Sequence, residues 1–276
     1  MTARAGATLA LAAALSCRGS AKPAPSTASP ARDEPARDEP APVPVPNEPA
    51  IVNDWCTSGL AALDEETCYV LPPLDASKPP RLLVYFHGIV PPVRESPQKD
   101  NVMSAVLRAS TRAGAAAIVP RGVKGVGPAG AKDWWAWPTS PGKHAELAVG
   151  IARRVLSAKK ALEARARVVF ARTYLAGSSN GAYFAATLAL RNELDVDGLG
   201  AMSGGASSPI LRRSPLAVYV GFGTYDETSA RGARSLAAGA RAAGWPTKLA
   251  EHPFGHGARE VYLDEAFEFW DGVRTP

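Results

Sequence analysis

Residues 173–190 read TYLAGSSNGAYFAATLAL. An apolar run leads into two adjacent serines between glycines, and an alanine-rich run follows. Gly177-Ser178-Ser179-Asn180-Gly181 fits G-x-S-x-G centred on Ser179, with a strand expected before it and a helix after it. The glycines have a physical reason. A nucleophile on a sharp strand-to-helix turn has a strained backbone, and side chains at the flanks would collide with the strand or the helix. The turn lifts the hydroxyl above the sheet at the helix N-terminus, where the dipole favours developing negative charge. Ser179 also stands where a helix N-cap would, so both readings occupy one position. Ser178 fills the x position, where a small residue suits the turn.

Strand-like and helix-like stretches alternate around this turn. RLLVYFHG (81–88), AAAIVPRG (115–122), RTYLAG (172–177), DGLGAMSGG (197–205), LAVYVGFG (216–223) and PTKLAEHP (246–253) read as strands. Residues 99–114, 144–164, 180–193, 227–244 and 257–273 read as helices. The strands are apolar rather than alternating. This predicts an α/β class, with a mostly parallel central sheet covered by helices on both faces. Sites in such sheets lie at the carboxyl ends of strands.

A serine hydroxyl needs a base, and the base a third group to orient it. Downstream of Ser179 the histidines are His252 and His256. His256 sits in a glycine-flanked loop, FGHG, before the last helix and is favoured; His252 ends a strand. Asp226, in GFGTYDE just past a strand, is the favoured acid, with Glu227 and Asp197 as alternatives. Asp226 would also serve as an N-cap. Backbone N–H groups of Ile89 and Asn180 are candidates for an oxyanion hole. His87, before Gly88, is expected in the loop that builds that hole and the substrate pocket. Trp134, Trp135 and Trp137 in KDWWAWPTS (132–140) are candidates for the pocket wall, against the alternative of a loop anchored by buried tryptophans.

FHG, GSSNG, GTYDE and GHG, in this order, resemble the α/β-hydrolase superfamily over roughly residues 65 to 273. YLAGSSNGAYFA is similar to the elbow of secreted polyhydroxyalkanoate-depolymerase-like and feruloyl-esterase-like proteins. Many depolymerase-like proteins carry Cys-x-Gln after the His-Gly, where this chain reads IVPPV. The resemblance implies hydrolysis of a small-molecule or polymeric carboxylic ester through an acyl-enzyme. Ser179, His256 and Asp226 would act together, without a metal or organic cofactor. An amidase or peptidase on the same fold, or a non-catalytic binding module on a hydrolase scaffold, are the alternatives.

The N-terminus carries a different message. Residues 1–16 have one basic residue, Arg4, then an apolar stretch and small residues, the pattern of a signal peptide. ALSC, ending at Cys17, resembles a bacterial lipobox, so Cys17 is a candidate for lipidation. Ordinary signal cleavage and secretion is the alternative. Residues 17–50 are rich in proline, alanine and charge, with ARDEP repeated in tandem, and read as a disordered tether. The hydrolase domain is expected over 51–276. Cys56 and Cys68 form an even pair, read in an oxidising compartment as a disulfide contributing roughly 3 kcal/mol. The chain is therefore expected to be exported and held on a membrane by its lipid. A net charge of +5 raises the question of a polyanion partner. The basic residues are scattered beside acidic ones without interleaved aromatics, which argues against nucleic acid.

Overall fold

The computed structural model describes residues 54–273 apart from residue 58. The signal segment 1–16, Cys17, the tether 17–50 and the first residues of the expected domain lie outside the described residues. Eight strands form one sheet: β1 (Ala61–Ala62), β2 (Thr67–Val70), β3 (Arg81–Phe86), β4 (Ala116–Pro120), β5 (Arg172–Ser178), β6 (Gly198–Met202), β7 (Ala217–Gly223) and β8 (Thr247–His252). Their order is β1-β2-β4-β3-β5-β6-β7-β8. The pairs from β4 through to β8 are parallel, while β1 and β2 add an antiparallel edge. That edge was not anticipated. Its strands are two and four residues long, too short to print a periodicity of their own.

Among the described residues the helices are α1 (Pro97–Ala113), α2 (Pro141–Ala166), α3 (Asn180–Leu190), α4 (Glu227–Ala242) and α5 (Glu260–Gly272). The strand residues explain the layering. In β3, Leu82, Val84 and Phe86 pack with residues of α2, α3 and α4, whereas Leu83 and Tyr85 pack with α1 and α5. Both sets are buried, so an apolar strand without alternation is what a sheet covered on both faces requires. Each buried Leu or Val contributes roughly 1.5–3 kcal/mol. Among the described residues no helix is long and apolar enough to cross a membrane.

Helix ends follow their caps. Ser96 caps α1 by accepting from the Lys99 N–H, with Pro97 behind it, and Gly114 ends the helix in the left-handed region at φ 59°. β8 is the far edge of the sheet, and its residues are only partly covered. Its charged side chains pair outward, Glu251 with Arg234 (3.1 Å) and Lys248 with Glu265 (3.6 Å).

A disulfide joins Cys56 to Cys68 in β2, with the two Cα atoms 5.4 Å apart. It ties the first described residues to the sheet beside Trp55, whose indole N–H donates to the Val119 carbonyl of β4 (3.1 Å). The paired substitution Cys56→Ser/Cys68→Ser should lower unfolding free energy by about 3 kcal/mol. Urea denaturation of the oxidised protein checks this; an unchanged midpoint would reject a stabilising role.

Candidate active site

Ser179 leaves the end of β5 with φ 53° and ψ −123°, outside the ordinary regions for an L-residue. The glycines around it permit the contacts this turn demands. A Cβ on Gly177 would meet the Gly181 carbonyl at 2.6 Å, and one on Gly181 would meet the Phe86 and His87 carbonyl oxygens at 2.2 and 2.3 Å. α3 is thereby pressed against the end of β3. Ser179 stands at the N-cap position of α3, yet its side chain makes no capping bond. The hydroxyl is directed instead to His256 Nε2, 2.8 Å away.

His256 Nδ1 lies 2.8 Å from Asp226 Oδ2. A carboxylate only accepts, so Nδ1 carries the proton and donates to Asp226. The lone pair of Nε2 is left to accept from the Ser179 hydroxyl. Asp226 follows β7 and caps α4, its Oδ1 accepting from the Ser229 N–H (3.2 Å) and its Oδ2 from the Ser229 hydroxyl. Capping and orienting thus fall to the same carboxylate. Its side chain is 1% exposed. Burial opposes its ionisation, but hydrogen bonds from Ser229 and His256 and the nearby imidazole outweigh that and hold the carboxyl below its ordinary range.

The loops bearing the acid and the histidine are stitched together. Thr224 N–H donates to the His252 carbonyl (2.7 Å) and Tyr225 N–H to the Phe254 carbonyl (3.0 Å). Ser203, just beyond β6, donates its hydroxyl to the Gly257 carbonyl (3.1 Å) and accepts from the Gly257 N–H (3.3 Å). The alternatives from the sequence lie elsewhere. His252 faces Glu265 at 3.0 Å and stacks on Phe254. Glu227 is exposed. Asp197 accepts from the Thr173 N–H at the opposite end of the sheet.

The Asn180 N–H is the first of α3 and has no acceptor within the helix. No described acceptor pairs with the Ile89 N–H either. A Cβ on Gly88 would stand 3.4 Å from the Ser179 Cβ, so the loop carrying Ile89 lies against the serine. His87 holds that loop. It is fully buried, its Nε2 accepts from the Gly122 N–H (2.9 Å), and its Nδ1–H donates to the Gly88 carbonyl. Burial pushes its pKa down to about 3 despite the bond to Gly88, and the Arg154 charge adds to the depression, so the ring is neutral. His87 was expected on the pocket wall; the structure corrects this to a buried clasp behind it.

The tryptophans need the same correction. A cavity of 320 Å³ opens over Ser179, and Trp134, Trp135 and Trp137 do not line it. Trp137 is wholly buried, stacked on Phe184 and tilted against Phe86 and His87. Its indole N–H donates to the His87 carbonyl (2.8 Å), and its backbone N–H and carbonyl bond the Asn180 side-chain amide (2.6 and 3.1 Å). A large flat ring with one donor braces two loops better than it walls a wet cleft. Trp135 is half-buried and pairs through its backbone with Val90. Trp134, also half-buried, donates its N–H to the Ala131 carbonyl. The cavity wall comes from Ile89, Val90, Gln98, Asn101, Val102 and Arg259. Gln98 and Asn101 share one face of α1 at i, i+3 spacing, a signal visible in the sequence but not tied to the site without the fold.

No known family profile matches the chain, and no curated protein sequence does. Solved structures do. Esterase PE8 superposes with a TM-score of 0.53 at 21% identity, over 75% of this chain and 97% of its own. A carboxylesterase from Mesorhizobium loti gives 0.53 at 15%, over 75% and 94%. Acyl-protein thioesterase 2 from Zea mays gives 0.53 at 16%, over 74% and 97%. The chain has the α/β-hydrolase fold.

Asn keeps an N-cap but not the charge, so Asp226→Asn isolates the carboxylate. Its depressed folded-state pKa contributes stability above the unfolded value of about 3.9, lost as pH falls through the folded value. Wild type should exceed Asp226→Asn in urea unfolding at neutral pH. The gap should close as pH drops below about 4; a gap independent of pH would contradict the charge argument. Trp137→Phe should cost about 1–3 kcal/mol by orphaning the His87 carbonyl, measured by the same method.

Proposed function

We propose that this protein is an exported serine hydrolase that cleaves carboxylic esters through an acyl-enzyme. The reading rests on one observation above all: Asp226, His256 and Ser179 are joined in series at 2.8 and 2.8 Å, and His256 and Ser179 line the cavity. Ser179 Oγ attacks the ester carbonyl carbon as its proton passes to His256 Nε2. The carbonyl oxygen becomes an oxyanion facing the N–H groups of Ile89 and Asn180. As the tetrahedral intermediate collapses, the C–O bond to the leaving alcohol breaks, and His256 returns the proton to that alcohol. Water then repeats the cycle on the acyl-enzyme: His256 takes its proton, the acid leaves and Ser179 is restored. Asp226 holds the imidazole tautomer and stabilises the imidazolium that forms.

Esters are favoured over other acyl compounds because the similar structures are named as esterases, a carboxylesterase and a thioesterase. The cavity of 320 Å³ suits a short acyl group. The likeness of YLAGSSNGAYFA to depolymerase-like and feruloyl-esterase-like elbows adds secreted, polymer- or wall-derived esters to the substrates worth testing. The signal-like residues 1–16, the lipobox-like ALSC and the Cys56–Cys68 disulfide support export with a lipid at Cys17.

A fluorophosphonate probe should label Ser179, and Ser179→Ala should abolish labelling. Labelling that survives the substitution, or none on folded protein, would sink the proposal. His256→Ala should lower kcat on short p-nitrophenyl esters by roughly 10⁴-fold or more, with KM little changed. Matched acyl anilides should be turned over far more slowly; equal rates would make it an amidase instead.

A further inference from the structure

A second cavity, of 220 Å³, lies across the Ile89-bearing loop from the one over Ser179. The two share that loop and the first turns of α1: Ile89, Val90, Gln98 and Asn101 face Ser179, while Pro91, Arg94 and Lys99 face the second cavity. Its remaining walls include Asp54, Trp55, Arg121 and Trp135. The side chains that matter are cations.

Lys99 is 2% exposed, yet no carboxylate lies within ion-pair distance of it among the described residues. Its Nζ donates to two backbone carbonyls, of Asp54 (2.9 Å) and Arg94 (2.8 Å). An ammonium has three donors, so one remains. Burial holds its pKa below the ordinary value, while the Asp100 and Asp54 charges pull it back up from a distance and Arg94 opposes them. Lys99 also sits in the first turn of α1, where the dipole disfavours a cation. Arg94 has no ion-pair partner among the described residues. Arg121 shares Glu66 with Arg154, two guanidiniums on one carboxylate, and with Lys124 it lies against the Trp135 ring at 4.4 and 4.8 Å. A buried, uncompensated charge is costly unless a counter-ion completes it.

We propose that this cavity is a subsite for a carboxylate carried by the substrate at a distance from the scissile ester. The proposal rests on the ester-hydrolase reading above and narrows it to esters that also bear an anionic end. Lys99 supplies a point charge through its third donor, Arg94 a second charge from the rim, and Arg121 with Trp135 the opposite wall. Asp54 also lines the cavity; its carbonyl accepts from Lys99 Nζ, and its carboxylate offsets part of the positive charge that Lys99, Arg94 and Arg121 bring there. The Cys56–Cys68 disulfide fixes the wall that carries Asp54 and Trp55.

Two pairs of substrates test it. The first sets p-nitrophenyl half-esters of adipic, suberic and sebacic acids against neutral esters of equal acyl length. The second sets butyrate esters of ω-hydroxy acids against butyrates of the matching alkanols. In at least one pair the charged member should have the higher kcat/KM at low salt, and the preference should shrink as salt rises. Lys99→Met and Arg94→Gln should each lower the charged-to-neutral ratio by about tenfold. Arg94 is exposed, so its variant reads the charge without disturbing the core. Calorimetry with adipate on Ser179→Ala protein measures the subsite without turnover. Binding that Lys99→Met abolishes would uphold the subsite even if no ester were cleaved. Absent binding together with equal rates in both pairs would overturn it, whatever becomes of the hydrolase reading.

Discussion

The backbone of Ser179 is the constraint on which the rest depends. A φ of 53° with ψ −123° is costly for a residue with a Cβ, on the order of 1–3 kcal/mol, and persists only where its surroundings over-determine it. Those surroundings are specific. Gly177 and Gly181 let α3 approach the β3 carbonyls, and the Asn180 amide locks onto the Trp137 backbone. The Trp137 indole then grips the His87 carbonyl, and the His87 ring reaches across to Gly122. The serine turn and the loop carrying Ile89 are therefore one braced unit. The strain is repaid by packing in the core rather than at the site itself.

The fold was legible because its signals are local and repeated. Runs ending in Gly or Pro marked six strands, and every one of them but β6 was followed by a stretch of helical spacing. The serine turn was legible for a further reason: its motif is written in five consecutive residues, even though part of the steric demand on Gly177 and Gly181 comes from the distant carbonyls of Phe86 and His87. Asp226 and His256 could be named because this kind of sheet sets a chain order and because both follow strands. What failed to print was whatever depends on long-range packing. A tryptophan in KDWWAWPTS looks the same whether it faces solvent or Phe184. His87 next to Gly88 does not announce that its ring accepts from a peptide 35 residues away. The antiparallel edge of β1 and β2 is defined by its partner strand, not by its own few residues. Lys99 reads as an ordinary helical lysine until Asp54 and Arg94 close over it.

Two kinds of buried polar group emerge, and they behave differently. His87 and Asp226 are fully partnered, so their burial fixes geometry: one stays neutral, the other ionised. Lys99 is buried with two backbone carbonyls as its hydrogen-bond partners and no carboxylate at ion-pair distance among the described residues. The first kind explains rigidity. The second creates an electrostatic demand on whatever enters from solvent.

His256 follows β8, and β8 is the outer edge of the sheet, half-covered and held by surface ion pairs. The proposed base thus follows a partly covered edge strand, while Ser179 is mounted in the centre, between β5 and α3. Local opening of an edge costs less than global unfolding. On warming, amide hydrogens of β8 should exchange with solvent well before those of β3 and β5. Catalytic competence would then fade reversibly at temperatures where the core still melts as a single unit. The working temperature of the molecule would be set by the hold of Ser203 on Gly257, and of the β7 loop on the histidine loop, rather than by its hydrophobic interior.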